Sequence, residues 1–115
     1  MSVEKSQKKE LLQAYKGRRR VGCVYGLRHR PTGRMLVQHD ADVQSARNRF
    51  RFFASTNTCP HPCLRALWRA EGPQAFELVV LEELEKGEEQ EERAFREDLK
   101  TLEALWKEKL QGQVL

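Results

Sequence analysis

Three groups of residues in this chain have types and spacings that could do chemistry. Arg47, Arg49 and Arg51 recur at every second position of one segment, and Arg18, Arg19 and Arg20 form an unbroken run. Guanidinium groups at that density suit phosphate, whose oxygens they meet with paired N–H donors and a fixed charge. Cys59, His61 and Cys63, separated by Pro60 and Pro62, bring two thiols and an imidazole close together, and these are ligand types that zinc favours. No second ligand pair of ordinary spacing follows, so Cys23, His29 or His39 would have to complete such a site. The plainer reading is the start of a helix, stiffened by the two prolines. Nucleophilic catalysis and nucleotide binding lack a frame. The chain has no Gly-x-Ser-x-Gly elbow, no glycine-rich phosphate loop and no Gly-x-Gly-x-x-Gly fingerprint.

The arginines belong to a larger asymmetry. Residues 1–70 carry 15 Lys and Arg against 4 acids, a net +11, and residues 71–115 carry 6 against 13, a net −7, which together make the chain's +4. A basic half draws in phosphate backbones by releasing their condensed counterions. The alternative is two opposite faces that partly neutralise each other. With 115 residues, 39% hydrophobic and 33% charged, the chain has the length of one domain with its own core. Three cysteines are an odd number, and they read first as thiols. No run approaches the roughly 18 apolar residues of a membrane span, and no apolar stretch follows the charged start. The expectation is a cytoplasmic protein without a membrane partner.

Hydrophobic periodicity then gives the elements that must hold these groups. Residues 1–19 are expected to be an N-terminal helical extension, with Leu11, Leu12 and Tyr15 at helical spacing. Residues 21–27 form an apolar run too short for a helix, which predicts a strand buried on both faces. Residues 30–33, with Pro31 early and Gly33 late, predict a turn, and residues 35–37 the return strand of a hairpin. Asp40 or Asp42 caps a helix over residues 43–54. Its Val43, Ala46, Phe50 and Phe53 face a core, and Arg47, Arg49 and Arg51 take much of the remaining surface. Residues 56–58 break that pattern, residues 63–70 form a second helix, and residues 76–81 a third strand. The acid-rich residues 82–92 are expected to open the last helix, where negative charge suits the positive end of the helix dipole. Phe95, Leu99, Leu102, Trp106 and Leu110 make its apolar stripe. The order is α-β-β-α-α-β-α. That is an α/β chain of the α+β kind, a small three-stranded, mainly antiparallel sheet flanked by helices, with the domain proper at residues 20–115.

Order and residues together resemble the GIY-YIG nuclease family. Cys23-Val24-Tyr25 matches the first motif, Gly-Ile-Tyr, on one strand of the hairpin, and Leu36-Val37-Gln38 stands where Tyr-Ile-Gly returns. Arg30-Pro31-Thr32-Gly33-Arg34 is similar to the turn between them. Leu64 to Trp68, Ala75 to Glu83, and Leu102-Glu103-Ala104-Leu105-Trp106 resemble later segments of the family. The likeness covers residues 20–110. It implies a DNA endonuclease in which Tyr25 orients the attacking water and Glu103 holds one Mg2+ ion beside the substrate phosphate. The phosphate-steadying arginine falls on Ala46, so Arg47 and Arg49 are its nearest substitutes; Arg18, Arg19, Arg20 and Arg51 would touch the nucleic-acid backbone. Two departures stand out. Leu36 has no hydroxyl to donate a hydrogen bond, and Gln38 replaces a glycine. The expectation is a nucleic-acid-binding protein, for DNA more than RNA, and a magnesium-dependent phosphodiesterase with part of its catalytic set replaced. The alternative is a non-catalytic module that binds nucleic acid, or a protein partner through the acidic stretch at residues 82–92.

Overall fold

Strand β1, Val21–His29, is apolar along nearly its whole length because both of its faces are covered. The chain reverses at a turn in which Gly33 takes a φ of 76°, a value that glycine adopts without strain. It returns as β2, Met35–Asp40. In the computed structural model residues 20–115 are described; the helical extension expected over residues 1–19, with Arg18 and Arg19, lies outside them. The third strand, β3, is Phe76–Glu85, and it pairs with the other side of β1. The sheet therefore runs β2-β1-β3, antiparallel throughout, with the first strand in the centre.

Strand alternation assigns each side chain of β1 to a face. Cys23, Tyr25 and Leu27 share one face with their β2 partners Asp40, Gln38 and Leu36. Val24 and Gly26 share the other with His39 and Val37. Helices α1, Val43–Ser55, and α2, Arg65–Glu71, cover the first face, where Leu27, Leu36, Leu64, Trp68 and Phe76 form one buried cluster. Helix α3, Glu92–Lys109, covers the second, setting Leu102 and Trp106 against Val24, Met35 and Val37. Phe95 and Leu99 of α3 pack with Ala41. The fold is α+β, with the three-stranded antiparallel sheet and flanking helices expected of the sequence.

Local chemistry explains the boundaries. Asp42 caps α1, its carboxylate accepting from the backbone N–H of Gln44 at 2.9 Å and of Ser45 at 3.1 Å. Beyond the end of α1, Asn57 takes a φ of 53°, and its side-chain oxygen accepts from the Trp68 indole at 3.1 Å. Buried His29 joins hairpin to helix: the Glu71 carboxylate accepts from its Nε2 at 3.0 Å, and the Thr32 hydroxyl lies 2.8 Å from its Nδ1. The start of the edge strand β2 is closed by the C-terminal segment. The Met35 N–H donates to the Gln113 carbonyl and the Leu115 N–H to the Met35 carbonyl, each at 2.9 Å.

The last strand and helix differ from expectation. Residues 82–85 continue β3 instead of opening α3, which begins only at Glu92. Leu81 makes this possible as a bulge: Val24 faces Glu82 while Tyr25 faces Val80. The bulge turns Leu81 and Glu82 to the same side, where Leu81 packs on the Val24 cluster and Glu82 accepts from the Trp106 indole at 2.7 Å.

Candidate functional site

The face of the sheet beneath α1 contains a cavity of about 190 Å³. Residues one helical turn apart on α1 (Ala46, Arg49, Phe50 and Phe53) form one wall. The strands supply the floor through Tyr25, Leu27 and Gln38, and Pro60 and His61 close the far side. Tyr25 and Gln38 are direct neighbours across the hairpin, so strand pairing alone brings the phenol and the carboxamide together.

Tyr25, Gln38, Arg49 and His61 bring four polar groups together here. Burial pushes the Tyr25 phenol above its usual value of 10, and the positive charge of Arg49 only partly offsets this. At neutral pH Tyr25 is therefore an intact O–H, and among the described residues that hydroxyl makes no hydrogen bond. Arg49 is paired with Asp40, whose other oxygen accepts from the Asp42 N–H at 2.9 Å. His61 Nδ1 accepts from the Cys63 N–H at 3.1 Å, which leaves Nε2 as the ring's remaining polar atom. Beneath Tyr25 on the same face, burial and the negative charge of Glu83 push the Cys23 thiol up to about 11, which keeps it protonated at neutral pH.

Glu103 does not line this cavity. It lies on α3, across the sheet, where His39 Nδ1 donates to its Oε1 and Lys107 Nζ to its Oε2, each at 2.8 Å. Partial burial raises its pKa, but the hydrogen bonds from Lys107 and His39 outweigh that and hold the carboxyl below the usual 4.5. Its charge still reaches Tyr25, as the weakest of the four influences on that phenol. As a magnesium ligand Glu103 fits poorly as it stands, because both oxygens already serve donors and the ion would sit against an ammonium group. Among the described residues no three His, Cys, Asp or Glu side chains are placed to hold a metal ion.

The other expected residues divide. Arg49 lines the cavity, whereas Arg47 and Arg51 are exposed on α1 without an ion pair among the described residues. Arg20 is tied to Glu92 at the start of α3. Cys59, His61 and Cys63 behave as a helix start: the Cys59 thiol donates to the His61 carbonyl at 3.0 Å, and the His61 ring caps the 3-10 turn Pro62–Leu64. Sequence reasoning missed Gln38, His61, Phe50 and Phe53 as cavity residues. The hairpin register carried the signal for Gln38, since a turn centred on residues 31–33 sets it opposite Tyr25. The tie between His39 and Glu103 had no such signal, because it depends on which face of the sheet α3 covers. Among the described residues no helix is long and apolar enough to cross a membrane. Comparison with known protein families, with curated proteins and with solved structures finds no match to this chain.

Proposed function

We propose that the chain is a cytoplasmic nucleic-acid-binding module on a GIY-YIG-like scaffold, holding a phosphate backbone against α1 without cutting it. One observation carries the reading: Tyr25 and Arg49 share a cavity, while Glu103 is bound to His39 and Lys107 on the far side of the sheet. Water attack on phosphorus needs its activating groups and its charge-stabilising groups around one point. Binding needs only the exposed cations, and Arg47 and Arg51 supply them on the exposed surface of α1.

Metal-dependent hydrolysis of a phosphodiester is the second reading, favoured by the unbonded Tyr25 hydroxyl beside Arg49. Under it Tyr25 would orient water, Arg49 would offset phosphate charge, and Glu103 would have to exchange Lys107 for a magnesium ion. Labelled duplex, branched and single-stranded DNA, incubated with the protein at low salt with and without magnesium, separates the two. The expected result is an electrophoretic shift that fades with salt and no cutting. Magnesium-dependent cleavage abolished by both Tyr25→Phe and Glu103→Gln would overturn the non-cutting reading. No shift at low salt would remove nucleic acid and turn attention to a protein partner for the acidic segment at residues 82–92.

A further inference from the structure

We propose that the cavity between the hairpin and α1 receives one unpaired nucleobase, so that the nucleic acid bound here is single-stranded. The inference rests on the nucleic-acid reading above and narrows it to a ligand class.

Size comes first. A cavity of about 150 Å³ holds one benzene ring, so the roughly 190 Å³ here holds one substituted ring and not a stacked pair. The walls suit such a ring. Phe50 and Phe53 bring aromatic groups from α1, with Leu27 opposite on the sheet. Every base presents a π-face to surfaces of this kind whatever its identity. The polar groups suit its edge. The Gln38 carboxamide sets a donor beside an acceptor, the arrangement that also lies along base edges, and the Tyr25 hydroxyl adds a second group with both capacities. A bare anion would need neither the rings nor the amide.

The rim extends the same logic. Phe52 is 60% exposed, one turn beyond Arg49, and stands edge-on to Phe53 with ring centroids 6.1 Å apart at 61°. Through that contact with Phe53, a cavity wall, it offers the next base an exposed stacking surface. A duplex cannot use this arrangement until a base leaves the stack, which costs a few kcal/mol.

The test measures fluorescence anisotropy at low salt with four labelled probes: a single-stranded DNA, the RNA of the same sequence, the DNA duplex, and a DNA strand of abasic nucleotides. The expected result is that at least one base-bearing single strand binds about tenfold or more tighter than both the duplex and the abasic strand. Phe52→Ala and Gln38→Leu should each weaken that strand by at least about fivefold, the low end for losing one stacked base. Duplex binding should not change, and Phe52, being exposed, can be removed without endangering the fold. Equal affinity for duplex or abasic strand, or single-strand binding unmoved by both substitutions, overturns the base pocket while leaving the nucleic-acid reading intact. Failure of all four probes to bind overturns both.

Discussion

Tyr25 and Glu103 stand on opposite sides of one sheet, and the ionisation of each follows from what its side supplies. Tyr25 is held away from water by burial, so its proton is kept. Glu103 faces two hydrogen-bond donors, so its proton is lost. A carboxyl whose pKa is depressed by folding takes up its proton less readily than in the unfolded chain. The stability it provides is complete above the unfolded value near 4.5 and disappears as pH falls through the folded one. Glu103→Gln is therefore expected to cost about 1 kcal/mol or more at pH 7. The difference between variant and parent should shrink steadily as denaturation is repeated below pH 4. A cost that stays constant across that range would mean that Glu103 acts through packing and not through charge. The sequence marked both residues as candidates, and their chemistry was legible. Their relative position was not, because residue type says nothing about which face of a sheet a helix will cover.

At the scale of elements, the tight fit of α3 against β1 depends on Gly22. A Cβ there would meet Leu99 Cδ1 and Phe95 Cζ at 2.8 Å and the Asp40 carbonyl oxygen at 2.9 Å. Side chains can turn aside, but that carbonyl belongs to β2 and is fixed by the sheet. Gly22→Ala is expected to destabilise the fold by about 1–3 kcal/mol, as overpacked interiors do. Gly26→Ala should cost less, since its tightest contact is the Met35 sulfur, near the free end of a flexible chain. Thermal melts of the two variants check the ranking, and the reverse order would show that α3 can slide away from β1. The hairpin was legible because proline, glycine and a short apolar run mark it locally. So was the α3 stripe, whose members are the residues that pack. The end of β3 was not. Glu82, Glu83 and Glu85 have the composition of a helix start, but pairing with β1 keeps them extended, and as an edge strand β3 carries charge on its open faces without penalty. Secondary structure there is decided by a partner 60 residues away in the chain, which no local pattern records.

For the whole molecule the question is whether the basic and acidic halves cancel. Pairs between them include Arg20 with Glu92, Arg28 with Glu77, His29 with Glu71 and His39 with Glu103. Arg30, Arg34, Arg47, Arg51, Arg65 and Arg69 keep no ion pair among the described residues, so most of the positive field is still available to an outside polyanion. Lys107 and Arg96, by contrast, are paired within the acidic half. The salt dependence of binding measures this directly, because each phosphate neutralised on a single strand contributes about 0.7 to the slope of log K against log salt. Removing Arg47 and Arg51 together, as Arg47→Gln with Arg51→Gln, should flatten that slope by about 1.4 if each touches one phosphate. Lys100→Gln, an exposed change on α3, should leave it where it was. Affinity that falls in the double variant with no change of slope would mean that α1 contributes shape and not charge. An equal flattening in Lys100→Gln would mean that the polyanion is held by the general field of the molecule, with no footprint on α1.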